Sequence, residues 1–193
     1  MTKPPNFIFL GLSGSGKGTQ EELLKEALEP QFKMRIISTG GLYRQLFELD
    51  TAVGRRVRDI VNKGNLAPSE FTVMLWMHEA TFNVMEDEGI IFDGTPRRVP
   101  EALNLDQFLE FVDRRSTTQV IYLHVSPEEV TRRLLERKRG DDTPDSIRKR
   151  IDYFYSEVME TIEYYRNSHR VVEINGEQSV EKVHQDIMNA IKV

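Results

Sequence analysis

Cysteine is absent from all 193 residues. That excludes disulfides, thiolate metal sites and a cysteine nucleophile, and it suits a reducing compartment. Long apolar runs are missing too. The block Phe7-Ile8-Phe9-Leu10 falls far short of the roughly 20 residues that span a bilayer. Basic residues are the minority, 26 against 31 acidic for a net charge of −5, so no global positive field draws the chain to nucleic acid or anionic lipid. The opening Met1-Thr2-Lys3-Pro4-Pro5-Asn6 lacks the charged, apolar and small-residue series of a signal peptide, and a cytoplasmic protein is expected. What is present, 39% hydrophobic and 30% charged residues, is the balance of a globular protein. At about 150 residues per domain the length gives one domain, large enough to bury a sizeable core.

Short apolar blocks alternate with longer helical patterns. Phe7–Leu10, Met34–Ile37, Ile90–Phe92, Val120–His124 and Val171–Ile174 read as strands, each bounded by turn or polar residues. The segments between them are too long for hairpins, which argues for a mostly parallel sheet covered on both faces. Thr143 as a cap, Pro144 at the first helical position and Asp145 at the positive dipole end start one helix. Ile147, Ile151, Phe154, Val158, Ile162 and Tyr165 continue it as one apolar face. A second helix is expected from about Ser69 to Met85, with Phe71, Leu75, His78, Phe82 and Met85 on one face and Trp76 in packing.

The most specific feature is Gly11-Leu12-Ser13-Gly14-Ser15-Gly16-Lys17-Gly18-Thr19, between a strand and a helix carrying Leu23, Leu24, Ala27 and Leu28. A chain wrapping a polyphosphate must turn its amides inward, which needs positive φ at some positions and no Cβ in the way. The helix behind the loop adds its positive end. Lys17 can reach the outer phosphates and the Thr19 hydroxyl can face the phosphates or a magnesium shell. Such a loop serves switches, motors and small-molecule kinases alike, so it names no reaction.

Further motifs narrow the choice. Gly16-Lys17-Gly18-Thr19-Gln20, Ser38-Thr39-Gly40-Gly41-Leu42-Tyr43-Arg44, Gly64-Asn65-Leu66-Ala67-Pro68 and Asp93-Gly94-Thr95-Pro96-Arg97 follow one another. Then come Arg133, Arg137, Arg139-Gly140-Asp141-Asp142 and Arg150. In this order they resemble the adenylate kinase family of nucleoside monophosphate kinases over nearly the whole chain. The resemblance implies an α/β, three-layer P-loop kinase fold with a five-stranded parallel sheet. One domain, 1–193, would carry a helical insertion for the acceptor nucleotide at 38–67 and a very short lid at 138–146. It implies magnesium-dependent transfer of the ATP γ-phosphoryl group to AMP, giving two ADP, by a monomer. Gly14, Ser15, Gly16, Lys17, Gly18 and Thr19 would hold the ATP phosphates, with Arg133, Arg137 and backbone near Gln178 beside the rest of ATP. Thr39, Arg44, Asn65, Leu66, Ala67, Gly94, Thr95, Pro96, Arg97 and Glu101 would form the AMP site, with Arg139 and Arg150 reaching it. Lys17, Arg97, Arg137, Arg139 and Arg150 would stabilise the moving charge, and Asp93 would hold magnesium through water.

The residue chemistry points the same way. Phosphoryl transfer needs two phosphates in line and compensation of charge on the moving oxygens. Between Arg132 and Arg150 this acidic chain has eight basic residues against four acidic ones. Arg133 and Arg137 share a helix face, and arginine forks onto phosphate as lysine cannot. No zinc is expected, because His78, His124, His169 and His184 are scattered and cysteine is lacking. Ser13 stands where the family usually has proline, Gly41 for its aspartate, and Thr95 for its aromatic residue. Glu101 replaces the glutamine usual in members that take AMP. An ionised glutamate only accepts hydrogen bonds, which suits guanine, so GMP, or UMP or CMP, stays open beside AMP. A nucleotide-dependent switch and a nucleotide-binding pseudoenzyme are the readings from other classes.

Overall fold

A computed structural model of the chain describes residues 3–137, 139–140 and 142–192. Five strands, β1 (Asn6–Leu10), β2 (Lys33–Ser38), β3 (Glu88–Asp93), β4 (Thr118–His124) and β5 (Val171–Asn175), form one sheet in the order β2-β3-β1-β4-β5. Every pairing is parallel, with Ile8 of β1 opposite Phe92 of β3 and Val120 of β4. All five expected strands are present, each one to three residues longer than its apolar block.

Period-two alternation splits the core into two layers. Phe7 and Phe9 face helices α1 (Lys17–Leu28) and α9 (Val180–Ala190), where Leu24, Leu28, Val183 and Ile187 are buried. Ile8 and Leu10 face the other way, toward α4 (Ser69–Asn83), α5 (Val99–Phe111) and the helix that opens at Pro144. Helices α2 (Thr39–Glu48) and α3 (Ala52–Asn62) stand between β2 and α4, and α6 (Pro127–Arg137) follows β4.

Two expectations about helices are refined. The helix from Pro144 runs to Arg166 as α7 (Pro144–Tyr153), a wider π turn at Phe154–Val158, and α8 (Met159–Arg166). Two successive steps of four, Phe154 to Val158 to Ile162, overshoot a 3.6-residue turn, and the π turn absorbs the drift, leaving all three buried. On α4 the expected face is the wrong one. Thr72, Trp76 and Ala80 are buried, while His78, Phe82 and Met85 are exposed. Trp76 turns edge-on to Phe92 and Phe108, and these aromatic contacts fix the helix's rotation against the sheet. The connection between α6 and α7 spans 138–143, of which Lys138 and Asp141 lie outside the described residues.

At the amino end of the sheet Asn6 is fully buried. Its amide donates to Pro4 O and Thr117 Oγ1 and accepts from Ile90 N and Arg114. Arg114 also donates to the carbonyls of Met85, Glu86 and Glu88. The carboxyl end is different. There β1 and β3 send their chains in opposite directions along the sheet, the place where open α/β sheets leave a crevice. Among the described residues, no helix is long and apolar enough to cross a membrane.

Candidate active site

The crevice is a cavity of about 850 Å³. Its first wall is the loop after β1. Gly14 and Gly16 adopt φ of 89° and 97°, the left-handed region that favours glycine. A Cβ on Gly14 would also stand 2.9 Å from Leu134 Cγ. Hydroxyl side chains cap α2, α3, α7 and α9. Helix α1 instead begins at Gly16 with no side-chain cap and no acidic residue in its first turn. Its amino end therefore presents bare N–H groups and a positive dipole end to the cavity, with Lys17 beside them. Such an end attracts an anion.

Lys17 Nζ donates to the carbonyls of Gly11 and Leu12, 3.0 Å each. Burial holds its pKa below the ordinary value, against the pull of Asp93 and Glu21. Asp93, at the end of β3, accepts from Ser38 Oγ at 2.8 Å. Glu21 is 2% exposed, its Oε1 has no hydrogen-bond partner, and its carboxyl lies within hydrogen-bonding reach of Asp93. Burial, then the Asp93 charge, push the Glu21 pKa up to about 9, so it holds a proton at neutral pH in the free protein. Among the described residues no three His, Cys, Asp or Glu side chains could by themselves hold a metal ion. Magnesium keeps several waters and is bound through one or two carboxylates plus substrate phosphates. Asp93, Glu21 and the Thr19 hydroxyl beside a phosphate cradle fit that habit.

The second wall is built by α2, α3, the segment after α3 and the start of α5. Tyr43, Phe47, Val61, Leu66 and Ala67 make it largely apolar, with Thr72 and Glu101 as polar points. Tyr43 Oη and Thr72 Oγ1 are 2.8 Å apart, and Glu101 Oε2 accepts the Arg97 N–H at 2.8 Å. Burial raises the Tyr43 pKa, so its phenol keeps its proton at neutral pH. A flat aromatic base suits this compartment.

Cations ring the space between the two walls. Seven cationic side chains against four carboxyls line the cavity of a chain whose net charge is −5. Arg97 donates to Gly94 O and, at 3.0 Å, to Tyr153 Oη. Arg137 and Arg150 both bind the fully buried Asp142 carboxylate at 2.9–3.0 Å. Burial alone would raise the Asp142 pKa, but these guanidiniums override it and hold it below the ordinary value. Arg44 and Arg139 line the cavity with no ion pair among the described residues. Arg133 reaches Gly176 O and Ser15 O from α6 and pairs with Glu129.

Of the residues singled out in the sequence, the lining thus unites Gly14, Gly16, Lys17, Gly18, Thr19, Arg44, Asn65, Leu66, Ala67, Asp93, Gly94, Arg97, Glu101, Arg133, Arg137, Arg139 and Arg150. Five others stand behind it. Ser15 is buried, and the Thr39 hydroxyl donates to Asp93 O at 3.1 Å. Thr95 is buried beside Pro96. Gln178 turns its amide to Asn175 O and Asp186. Three contributors went unnoticed in the sequence. Glu21 had a usable signal, since it follows Lys17 by one helical turn and so shares its face. Asp142 stood inside a quoted motif without a role. Tyr153 carried no signal, because its meeting with Arg97 joins residues 56 apart.

A glycine loop leading into an uncapped helix, at the carboxyl edge of a five-stranded parallel sheet, defines an α/β fold of the P-loop kinase kind. A family model described as adenylate kinase matches residues 9–170. An adenylate kinase of Oenococcus oeni is 39% identical over 180 residues, covering 91% of this chain and 92% of that protein. Adenylate kinase 1 of a Nostoc species is 34% identical, covering 93% and 95%. An adenylate kinase of Dehalococcoides mccartyi is 31% identical, covering 97% and 98%. The chain belongs to the adenylate kinase family, whose members are phosphotransferases.

Proposed function

We propose that this chain transfers the γ-phosphoryl group of ATP to AMP, reversibly and with magnesium, giving two ADP. The observation that carries the reading is a single cavity joining a phosphate cradle to an apolar compartment across a ring of arginines. Two nucleotides fit it with their phosphates facing each other. ATP lies on Gly14 to Thr19, with Arg133 and Arg137 and the backbone near Gln178 beside it. AMP lies against Arg44, the backbone of Asn65 to Ala67, Gly94, Arg97 and Glu101, with Thr39, Thr95 and Pro96 as backing. The related proteins named adenylate kinase support the same choice of substrates.

An oxygen of the AMP phosphate attacks the γ-phosphorus as the bond to the β–γ bridging oxygen breaks. The electron pair of that bond stays on the departing ADP. The acceptor phosphate is already a nucleophile, so no strong base is needed. Lys17, Arg97, Arg137, Arg139 and Arg150 stabilise the charge that spreads over the moving oxygens. Magnesium, when bound, neutralises phosphate charge, and Asp93 is the residue that holds its water shell. The segment 38–67, helices α2 and α3, closes over AMP and keeps water from the γ-phosphoryl group, and the segment 138–146, the α6–α7 connection with the first turn of α7, serves as a minimal lid. We also propose a cytoplasmic monomer that acts on free nucleotides and not on nucleic acid.

The test is nucleoside diphosphate formation from MgATP with AMP, GMP, UMP and CMP separately. Preference for AMP is expected. Preference for GMP would make Glu101 a guanine-reading residue, and no turnover with any acceptor would leave a nucleotide-binding pseudoenzyme.

A further inference from the structure

The proposed transfer leaves one buried carboxyl of the cavity without a task. Glu21 projects from the same face of α1 as Lys17, one turn further on, and lines the cavity at 2% exposure. Its Oε1 is buried with no hydrogen-bond partner. The nearby Lys17 ammonium gives two of its three N–H groups to the carbonyls of Gly11 and Leu12 and none to Glu21 Oε1. Asp93, within reach of Glu21, accepts from Ser38 Oγ at 2.8 Å. A buried carboxyl oxygen without a partner costs free energy, and the next inward positions along α1, Leu24 and Leu28, are apolar, while buried Gln20 turns its amide to Val180 O. An oxygen donor kept at such a place, at the floor of a phosphate cradle, is matched to a hard cation.

We propose that Glu21 and Asp93 together form a two-carboxylate seat for the divalent cation that accompanies ATP, with Glu21 as a positioning residue acting on the cation or its water shell. The inference rests on the reading of the glycine loop as the ATP site. It adds a residue that the family resemblance does not point to.

The experiment titrates Mn2+ into the full-length protein with β,γ-imido-ATP, reading free Mn2+ by electron paramagnetic resonance. The parent protein is expected to hold Mn2+ more tightly than the free analogue does. Glu21→Gln is expected to weaken that affinity by about ten- to a hundredfold, with little change in binding of the metal-free analogue. Glu21→Ala, which suits a helix and removes the carboxyl altogether, makes the same comparison should the glutamine variant fail to fold. A variant that binds Mn2+ as tightly as the parent overturns the proposal, whatever its melting temperature. A parent that binds the analogue yet gathers no extra Mn2+ also overturns it and leaves the cradle's reading standing. A parent that fails to bind the analogue overturns both.

Discussion

At the amino end of the sheet the buried amide of Asn6 uses all of its donors and acceptors, and Arg114 ties three carbonyls together beside it. At the carboxyl end Ser15 Oγ, Glu21 Oε1 and Thr95 Oγ1 are buried with no partner, and Lys17 folds back onto its own loop. Both ends belong to the same strands, so strand chemistry does not explain the contrast. Buried polar groups in native proteins are nearly always satisfied. Among the described residues unpartnered buried atoms also occur away from the cavity, at Trp76 Nε1, Tyr165 Oη and His184 Nδ1, but Glu21 Oε1 and the uncapped amino end of α1 line the cavity itself, open to something that is not part of the chain. The Asn6–Arg114 network holds the fold together, and the cavity end is prepared for charge that arrives with a substrate.

That comparison can be broken by substitutions chosen at each end. The largest effect is expected from Lys17→Met, which should cut turnover with MgATP and AMP by about 10²–10³-fold and leave the urea midpoint near that of the parent. Arg137→Ala should lower kcat far more than it weakens ATP binding, and equal losses in the two would remove its role in the transition state.

Asp142 sharpens the contrast, because it is a satisfied group at the catalytic end. Its depressed pKa means that the stability it adds is complete above the ordinary value of 3.8 and is lost as pH falls through the lower value of the folded state. Asp142→Asn should cost about 1.5–3 kcal/mol at pH 7, and the difference from the parent should shrink in acid, measured by denaturant unfolding at stepped pH. At the opposite end Asn6→Ala should cost about 1–3 kcal/mol with kcat unchanged, read from paired unfolding and turnover measurements. The smallest effect is expected from Tyr153→Phe, which keeps the ring near Arg97 and loses the hydroxyl that accepts from it. It should raise KM for AMP by about tenfold, as the loss of one hydrogen bond from a charged group would, without moving stability.

Much of this architecture was legible in the sequence, and the reasons are local. Each strand is an apolar, β-branched or aromatic block between turns, and the glycine loop needs backbone conformations that few sequences supply. The Thr143-Pro144 start of α7 is equally local, with Thr143 and Ser146 capping each other's N–H groups. What stayed hidden depends on tertiary contact. The rotation of α4 is decided by Trp76 against Phe92 and Phe108, which outweighs a run of apolar residues on its other face. The spacing of Phe154, Val158 and Ile162 shows the drift, but only their packing decides that a π turn absorbs it. The spacing of Glu21 from Lys17 puts both on one face of α1, but its meeting with Asp93 depends on β3. The bond from Tyr153 to Arg97 exists only because α7 passes the start of α5.

The central claim is that the carboxyl-end cavity moves a phosphoryl group between two nucleotides. Its most direct test is ADP formation from MgATP and AMP by the parent protein and by Arg97→Ala, whose guanidinium stands between the two walls. Two ADP for each ATP consumed, with a loss of about 10²-fold or more in the variant, is the result the structure predicts. ATP consumption without paired ADP, or a variant that turns over as fast as the parent, would contradict it.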